Sequence, residues 1–278
     1  MSDQSGAPKL FDRQALRRHR KRAAGSFADH DFLLREIGAR LLERLEETLT
    51  SFPVALDLGC HNGVLASILA QQEQRGETRI DSLLQCDLSA TMIGQAKQQG
   101  PAFVADEEWL PCGAGSLDLV LSLFSLQWVN DLPGVLAQIR YALKPGGLFL
   151  AAFPGGVTLG SLRQAFLEAE SETVGGVSPR IAPFIEVREA GMLLQRAGFQ
   201  LPMADADVVP IDYPDPLALL RDLRGMGESN ALNQRPRSFL RRDTLAALLQ
   251  AYPQRPDGRV VAEVEVVYLT GWAPDASP

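Results

Sequence analysis

Apolar positions along this chain follow two rhythms. Short apolar runs occupy residues 54–58, 83–86, 103–104, 117–123 and 148–153, the first and the fourth each carrying one carboxylate, Asp57 and Asp118. Runs of this length between turn residues predict strands buried on both faces. Elsewhere the apolar positions recur at helical spacing: Leu33, Ile37, Leu41, Leu45 and Leu49; Val64, Leu65, Ile68 and Leu69; Leu136, Ile139 and Leu143. Each set predicts a helix with one face on the core. Lys144-Pro145-Gly146-Gly147 ends the last of them, because proline cannot continue a helix and glycine accepts the left-handed turn after it. Strand and helix alternating at this interval predict an α/β fold, a parallel sheet with helices on both faces.

Past Phe153 the rhythm changes. A helix is expected over 158–173, an irregular segment over 175–184, a helix ending within 192–199, and a strand near 207–211. A second irregular, partly helical stretch covers 213–258, and residues 260–268 alternate apolar and polar as a strand does. No repeat or linker divides the chain. The expected organisation is an N-terminal helical extension or lid over 1–52 and one ligand-binding domain over 53–273, with insertions at about 154–185 and 213–258 covering the pocket. Residues 1–8 are polar and expected to be disordered. Residues 11–22 carry Arg13, Arg17, Arg18, Arg20, Lys21 and Arg22. They read as a solvated helix face, a lid over the pocket, or a docking surface for an acidic partner or membrane headgroups. With few apolar residues to bury, this segment is expected to serve binding and not core stability.

Composition narrows the class. The chain has 278 residues, 46% of them apolar, enough for a full core, and its net charge of −7 disfavours nucleic acid as a partner. Its three cysteines, Cys60, Cys86 and Cys112, show no paired spacing, which argues against a zinc site or a disulfide framework. Cys60 and Cys86 read as small buried hydrophobes. His19 and His30 have no companions at ligand spacing and read as surface residues, so no metal site is expected. No apolar run approaches the ~20 residues that span a bilayer, and no secretory signal is expected, which predicts a soluble protein of a reducing compartment.

The chemistry gathers at the strand ends. Gly59 and Gly63 bracket a strand-turn-helix unit, which presents backbone N–H groups and a helix N-terminus to a ligand. Two glycines four apart, preceded by Asp57, do not make the three-glycine fingerprint of dinucleotide sites, and a carboxylate there would repel a pyrophosphate. It suits an ammonium or sulfonium, and so S-adenosylmethionine. Asp87, ending the next strand, can accept both ribose hydroxyls, although such an acid also serves NAD. Asp106 and Glu107, within Ala105-Asp106-Glu107-Glu108, can meet the adenine amino group. Singly, each acid could be a solvated loop residue; three in order make the stronger signal. Trp128, Arg180 and Tyr213 fall in loops expected to border the pocket. Trp128, Asp131 and Glu228 offer the aromatic face and carboxylates that suit a guanidinium.

Several motifs carry a resemblance. Asp57-x-Gly59-Cys60, Asp87-Leu88-Ser89, Leu110-Pro111, Leu126-Gln127-Trp128 and Leu143-Lys144-Pro145-Gly146-Gly147 resemble class I S-adenosylmethionine-dependent methyltransferases. Phe11-Asp12-Arg13, Ala105-Asp106-Glu107-Glu108, Trp128-Val129-Asn130-Asp131-Leu132-Pro133, Gly175-Gly176-x-Ser178-Pro179, Leu223-Arg224-Gly225-Met226-Gly227-Glu228-Ser229-Asn230 and Gly271-Trp272 resemble the mitochondrial respiratory complex I assembly factors. A more distant likeness is to malonyl-carrier-protein O-methyltransferases. The likeness runs from Phe11 to Trp272.

The resemblance implies a Rossmann-like seven-stranded sheet, mostly parallel, of order 3-2-1-4-5-7-6 with the last strand antiparallel. It implies S-adenosylmethionine as cofactor, held by Asp57, Gly59, Cys60, His61, Gly63, Asp87, Leu88, Met92, Asp106, Glu107 and Leu123. It also implies hydroxylation of a protein arginine, on an iron–sulfur subunit of NADH dehydrogenase, by a cytoplasmic protein that is free or peripheral at the inner membrane face. Two alternatives stay open: an O-methyltransferase of a small or carrier-bound carboxylic acid, and a cofactor-binding assembly chaperone without turnover. The chain departs from the family at His61, where glycine is usual. Histidine tolerates positive φ, but its side chain could narrow the pocket.

Overall fold

The structure, a computed structural model, describes residues 9–46, 48, 50–73 and 79–275. The expectation of disorder for residues 1–8 and the helical position of Leu49 lie outside the described residues. The strands are β1 (Phe52–Leu58), β2 (Ile80–Asp87), β3 (Ala102–Val104), β4 (Leu117–Leu123), β5 (Leu143–Pro154), β6 (Gln200–Tyr213) and β7 (Val260–Trp272). They form one sheet of order β3-β2-β1-β4-β5-β7-β6, in which β7 runs antiparallel to both neighbours, as expected.

The helices are α1 (Arg13–Ala23), α2 (Phe32–Glu46), α3 (Val64–Glu73), α4 (Ala90–Ala96), α5 (Leu132–Ala142), α6 (Gly160–Val174), α7 (Val187–Ala197), α8 (Pro216–Gly225) and α9 (Arg242–Ala251). The strand pleat sends Leu119 and Leu121 to the face covered by α2 and α3 and Val120 to the face covered by α5 and α7. Helices α6, α8 and α9 form a separate apolar layer against β6 and β7, with Leu162, Leu219, Leu248 and Val260 at its centre. The two irregular regions of the sequence therefore meet on one side of the sheet's carboxyl edge.

Three expectations are corrected. First, Leu143 is not on the helix: α5 ends at Ala142 and β5 begins at Leu143, not at Leu148, taking in Lys144-Pro145-Gly146-Gly147 with Gly146 at φ 71° and a register shift between Leu117 and Leu119. Second, β6 begins at Gln200 and not near 207, because antiparallel pairing with β7 satisfies its backbone while most of its side chains stay exposed. Hydrophobic periodicity cannot detect an edge strand of that kind. Its acids are covered by α2, Arg44 pairing with Asp205 at 2.6 Å and Arg40 with Asp207 at 2.7 Å.

Third, the basic segment is part of the folded body. Ala15, Leu16, Arg20 and Ala23 of α1 are buried, and Phe11 and Leu16 pack with Leu88, Trp128 and Leu232. Arg13, Leu16, Arg20 and Ala23 lie at i, i+3, i+7 and i+10, one face of a helix. That spacing made the inward face legible, although the charge hid it.

Candidate functional site: a closed cleft and an open cavity

At the end of β1 the chain turns through Gly59 (φ 81°), His61 (φ 53°) and Gly63 (φ 92°) before α3. The N–H groups of Gly59 and Cys60 both donate to the Cys86 carbonyl at 2.8 Å, tying the turn to β2. A Cβ on Gly59 would lie 2.0 Å from Ser125 Oγ, so only glycine fits there. The His61 side chain turns beneath Phe27, ring centroids 5.5 Å apart, and sets Nε2 at 3.1 Å from the Leu123 carbonyl and 3.2 Å from that of Phe124. Two carbonyl partners require the proton on Nε2. Burial, then the nearby Arg20 charge, push its pKa down to about 3, so the ring is neutral.

Asp87 ends β2 with each oxygen engaged. Oδ1 accepts from the Ser89 N–H at 2.7 Å, and Oδ2 accepts from the His61 N–H at 3.2 Å and from Arg20 Nη1 at 2.8 Å. Arg20 Nη1 also donates to Glu107 Oε1 at 2.6 Å, and its Nη2 to Ser125 Oγ at 3.1 Å. Arg20, Asp87 and Glu107 are each no more than 1% exposed. Burial alone would raise Glu107, but Arg20 and Arg13 outweigh it and hold its carboxyl below the usual range. Burial raises Asp87 to about 6 despite Arg20.

Arg13 completes the lock. It donates to Asp106 Oδ1 at 2.5 Å, to Glu107 and to the Trp128 carbonyl at 3.2 Å. Phe11 meets Trp128 edge-on at 5.3 Å, and Asp12 caps α1 by accepting from the Ala15 N–H. Asn130 holds the Phe11 backbone from both sides, accepting its N–H at 2.8 Å and donating to its carbonyl at 3.3 Å. Phe11-Asp12-Arg13, the acidic turn at Asp106 and Trp128-Val129-Asn130 are thus three parts of one joint. One acid remains outside it: both Asp57 oxygens are buried without a hydrogen-bond partner, and burial, then Asp87, raise its pKa to about 8.

Across Trp128 lies a cavity of about 480 Å³. Glu228 sits at its inner end, where Oε2 accepts from Trp128 Nε1 at 2.7 Å and from Gln127 Nε2 at 3.2 Å. Burial raises Glu228 to about 7 against the lowering influence of Arg20. The segment carrying it is a hub. A Cβ on Gly225 would lie 2.1 Å from the His30 ring, Ser229 meets α1 at His19 and Arg22, and Asn230 donates to the Pro179 carbonyl at 2.7 Å.

The expected site residues divide accordingly. Asp57, Gly59, His61, Gly63, Asp87, Asp106 and Glu107 surround the cleft. Cys60 is buried with Ile93 and Ala96, Met92 and Leu123 belong to the main core, and Leu88 packs under Leu16 and Trp128. Trp128, Glu228, Arg180 and Tyr213 line the cavity. Asp131 does not: it caps α5 by accepting from the Gly134 N–H at 2.9 Å, which corrects its expected role at a guanidinium. Neither His19 nor His30 is an idle surface residue. His19 lines the cavity, and burial lowers it to about 4, while His30 Nδ1 meets Asp222 at 2.5 Å. Arg20, Arg13 and Ser125 were missed as site residues. The signal was present in two cations two helical turns apart, facing a cluster of acids.

Comparison with known proteins agrees with this architecture. A family described as "Methyltransferase domain" matches residues 56–151. The chain is 39% identical over 277 residues to "Arginine-hydroxylase NDUFAF5, mitochondrial" of Danio rerio, covering 96% of this chain and 84% of that protein. It is 34% identical over 278 residues to a "Malonyl-[acyl-carrier protein] O-methyltransferase" of Xylella fastidiosa, covering 97% and 90%. The YcgJ protein of Bacillus subtilis, 12% identical, shares the fold with a TM-score of 0.60 over 86% of this chain and 100% of its own. With the sheet order, the Gly59 turn and the acid ending β2, these likenesses place the chain in the class I S-adenosylmethionine-dependent methyltransferase superfamily, in the branch that holds the arginine-hydroxylase relatives.

Proposed function

We propose that the chain hydroxylates an arginine side chain of a protein, an iron–sulfur subunit of NADH dehydrogenase, during complex I assembly, one oxygen of dioxygen entering the side chain and the other leaving as water with two electrons and two protons from an external reductant. The observation that carries this reading is Glu228. It is a carboxylate held by the Trp128 indole at the inner end of a cavity, where a guanidinium entering from solvent would find both an ionic partner and an aromatic wall. Relatives named as arginine hydroxylases, similar over nearly the whole chain, support it.

The same reading includes S-adenosylmethionine as ligand of the cleft. The donor set fits: left-handed Gly59 and Gly63 allow close backbone approach, Asp87 ends β2, and Asp57 is an unpartnered carboxyl suited to a cationic ligand. Asp106 and Glu107 complete the wall. When bound, the cofactor supplies an activated methyl on a cationic sulfur. Arg20 donates to Asp87 Oδ2 at 2.8 Å, so a ribose hydroxyl at that oxygen competes with Arg20. Within the extension over 1–52, α1 then acts as the lid whose release opens the cleft of 53–273, while α2 stays packed on the sheet, and the protein meets its substrate as a peripheral partner. Among the described residues no helix is long and apolar enough to cross a membrane.

A second reading, O-methylation of a carrier-bound carboxylic acid, is favoured by arginines facing the cavity, Arg22 and Arg224 among them. One experiment separates these readings. The chain is coexpressed with the iron–sulfur subunit, and the subunit's arginine peptides are analysed by high-resolution mass spectrometry. A gain of one oxygen supports hydroxylation. A gain of one methylene, lost on Asp87→Ala, replaces it with methyl transfer. No modification, with the two proteins still copurifying, replaces it with a chaperone role.

A further inference from the structure

One loop on the rim of the cavity carries charge and apolar surface that the fold does not use. Residues 235–242, Arg235-Pro236-Arg237-Ser238-Phe239-Leu240-Arg241-Arg242, lead into α9 and hold four arginines and no acid, in a chain whose net charge is −7. Phe239 is 99% exposed, the most exposed large apolar side chain among the described residues. A ring held in water forgoes the whole of its burial energy. A packing role would turn it inward, as it does the next residue, Leu240, which joins the layer of α6, α8 and α9.

The cations around it outnumber their partners. Asp12 Oδ2 lies 2.8 Å from Arg235, 3.7 Å from Arg237 and 4.0 Å from Arg18 of α1, so one carboxylate serves three guanidinium groups. Arg18 and Arg237 remain 64% and 65% exposed. Arg241 pairs with Asp243, and Arg242 is exposed and, among the described residues, meets no carboxylate within ion-pair distance. The convergence on Asp12 joins the outer side of α1 and this loop into one basic surface, with an aromatic ring standing out of it.

We propose that this surface docks on a bilayer of anionic lipids, with Arg18, Arg237, Arg241 and Arg242 at the phosphates and Phe239 inserted beneath the headgroups. An anionic bilayer accepts a ring and its flanking cations together, without a shaped pocket. A soluble polyanion would match the arginines and leave Phe239 in water. A neutral bilayer would cover the ring and leave the arginines unmatched. Pro236, Ser238 and Phe239 also line the cavity beside Trp128, so docking brings that cavity to the lipid surface. The proposal rests on the peripheral association proposed above and names the surface that would make it.

The full chain is sedimented with vesicles of phosphatidylcholine, alone or with roughly 30% phosphatidylglycerol, with polyglutamate binding measured beside them. The anionic vesicles should bind at least about tenfold more tightly than either control, and high salt should release the protein. With each arginine worth about fivefold at such a surface, the double variant Arg237→Gln, Arg242→Gln should lose roughly 25-fold. Phe239→Ser should lose about tenfold while keeping the salt sensitivity. All three positions are exposed, so unchanged melting temperatures verify the fold. If the parent binds anionic vesicles and both variants bind as well as it does, this surface is overturned while peripheral association stands. Failure of the parent to bind anionic vesicles removes both. Polyglutamate binding as tight as the vesicles', with Phe239→Ser unchanged, replaces the bilayer with an acidic protein partner.

Discussion

On one side of Trp128, in the cleft above Gly59, Arg13 and Arg20 are ringed by Asp87, Asp106 and Glu107. On the other, in the cavity under α8, Arg22 and Arg224 line an apolar chamber and, among the described residues, meet no carboxylate within ion-pair distance. All of these arginines except Arg224 belong to α1. One helix therefore closes the first hollow with its inward face and borders the second with the next turn. The difference teaches where ligand binding must compete. A ligand of the cleft competes with a satisfied, buried guanidinium, whereas Arg22 and Arg224 at the cavity are exposed and have no ionic partner among the described residues. Seen this way, α1 couples the two hollows, because moving Arg20 out of the cleft also moves Arg22 at the cavity mouth.

The largest effect is expected from Arg20→Gln. Removing one member of a buried ion cluster costs about 3–5 kcal/mol, because Asp87 and Glu107 lose their shared partner. At ~2–4 °C per kcal/mol for a chain of this size, the ligand-free melting temperature should fall by roughly 6–20 °C. In the same variant the affinity for S-adenosylmethionine should rise by about tenfold or more, since the competitor for Asp87 is gone. Calorimetry and thermal melts check both. A variant that melts normally and binds no better would mean that Arg20 does not guard the cleft.

Glu228→Gln tests the other hollow. The amide keeps the shape and an acceptor for the Trp128 N–H but removes the negative charge. Turnover of a protein arginine, read as kcat/KM, should fall by about 10- to 100-fold, the worth of one charge-assisted hydrogen bond. If arginine turnover survives, the guanidinium is not held at Glu228.

Asp57→Asn sharpens the contrast inside the cleft, since Asp57 is the acid there that no arginine reaches. In the fold it keeps its proton up to about pH 8, whereas in the unfolded chain it ionises near the ordinary carboxylate value of about 4. The folded state therefore holds the extra proton across this window, and stability falls as pH rises through it. Asparagine is neutral throughout. The variant should gain on the parent as pH rises from about 4 to about 8 and melt above it at the alkaline end. Parallel melting curves for the two proteins across that range would show an ordinary carboxylate.

The parallel βα units and the turn at Gly59 were legible because they are written in local terms, apolar run length, glycine position and an acid after each strand, whereas the sheet order was legible only through the resemblance. The motifs around Trp128 and Glu228 were legible as a resemblance, but their physical reason was not. Phe11, Asn130 and the segment holding Glu228 and Asn230 are far apart in sequence, and each is explained by a partner that only the fold supplies. Arg20 was the hardest to place. A lone arginine amid five other cations reads as solvated, and its burial depends on two acids and a hydroxyl, Asp87, Glu107 and Ser125, brought to it by β2, the turn after β3 and the loop after β4. Asp131 failed in the opposite sense. A short-range role, capping α5, was available three residues away at Gly134 and outweighed any distant one.

The smallest effect comes from a pair that looks the same on paper. Arg40 meets Asp207 at 2.7 Å and Glu36 at 2.9 Å, distances like those of Arg20 to Asp87 and Glu107. Yet Arg40 is 37% exposed, and its two acids are 57% and 58% exposed. Water already solvates all three charges, and holding two long side chains in one geometry costs entropy that the weak attraction in high dielectric barely offsets. Arg40→Gln should therefore change stability by less than about 1 kcal/mol, and raising the salt concentration should erase even that. Arg20→Gln should keep its cost in the same salt, since ions cannot enter a site where the guanidinium and both carboxylates are buried. Melting the two variants side by side at low and high salt separates burial from distance. Equal losses at both sites would mean that Arg20 is solvated in solution and that the cleft stands open.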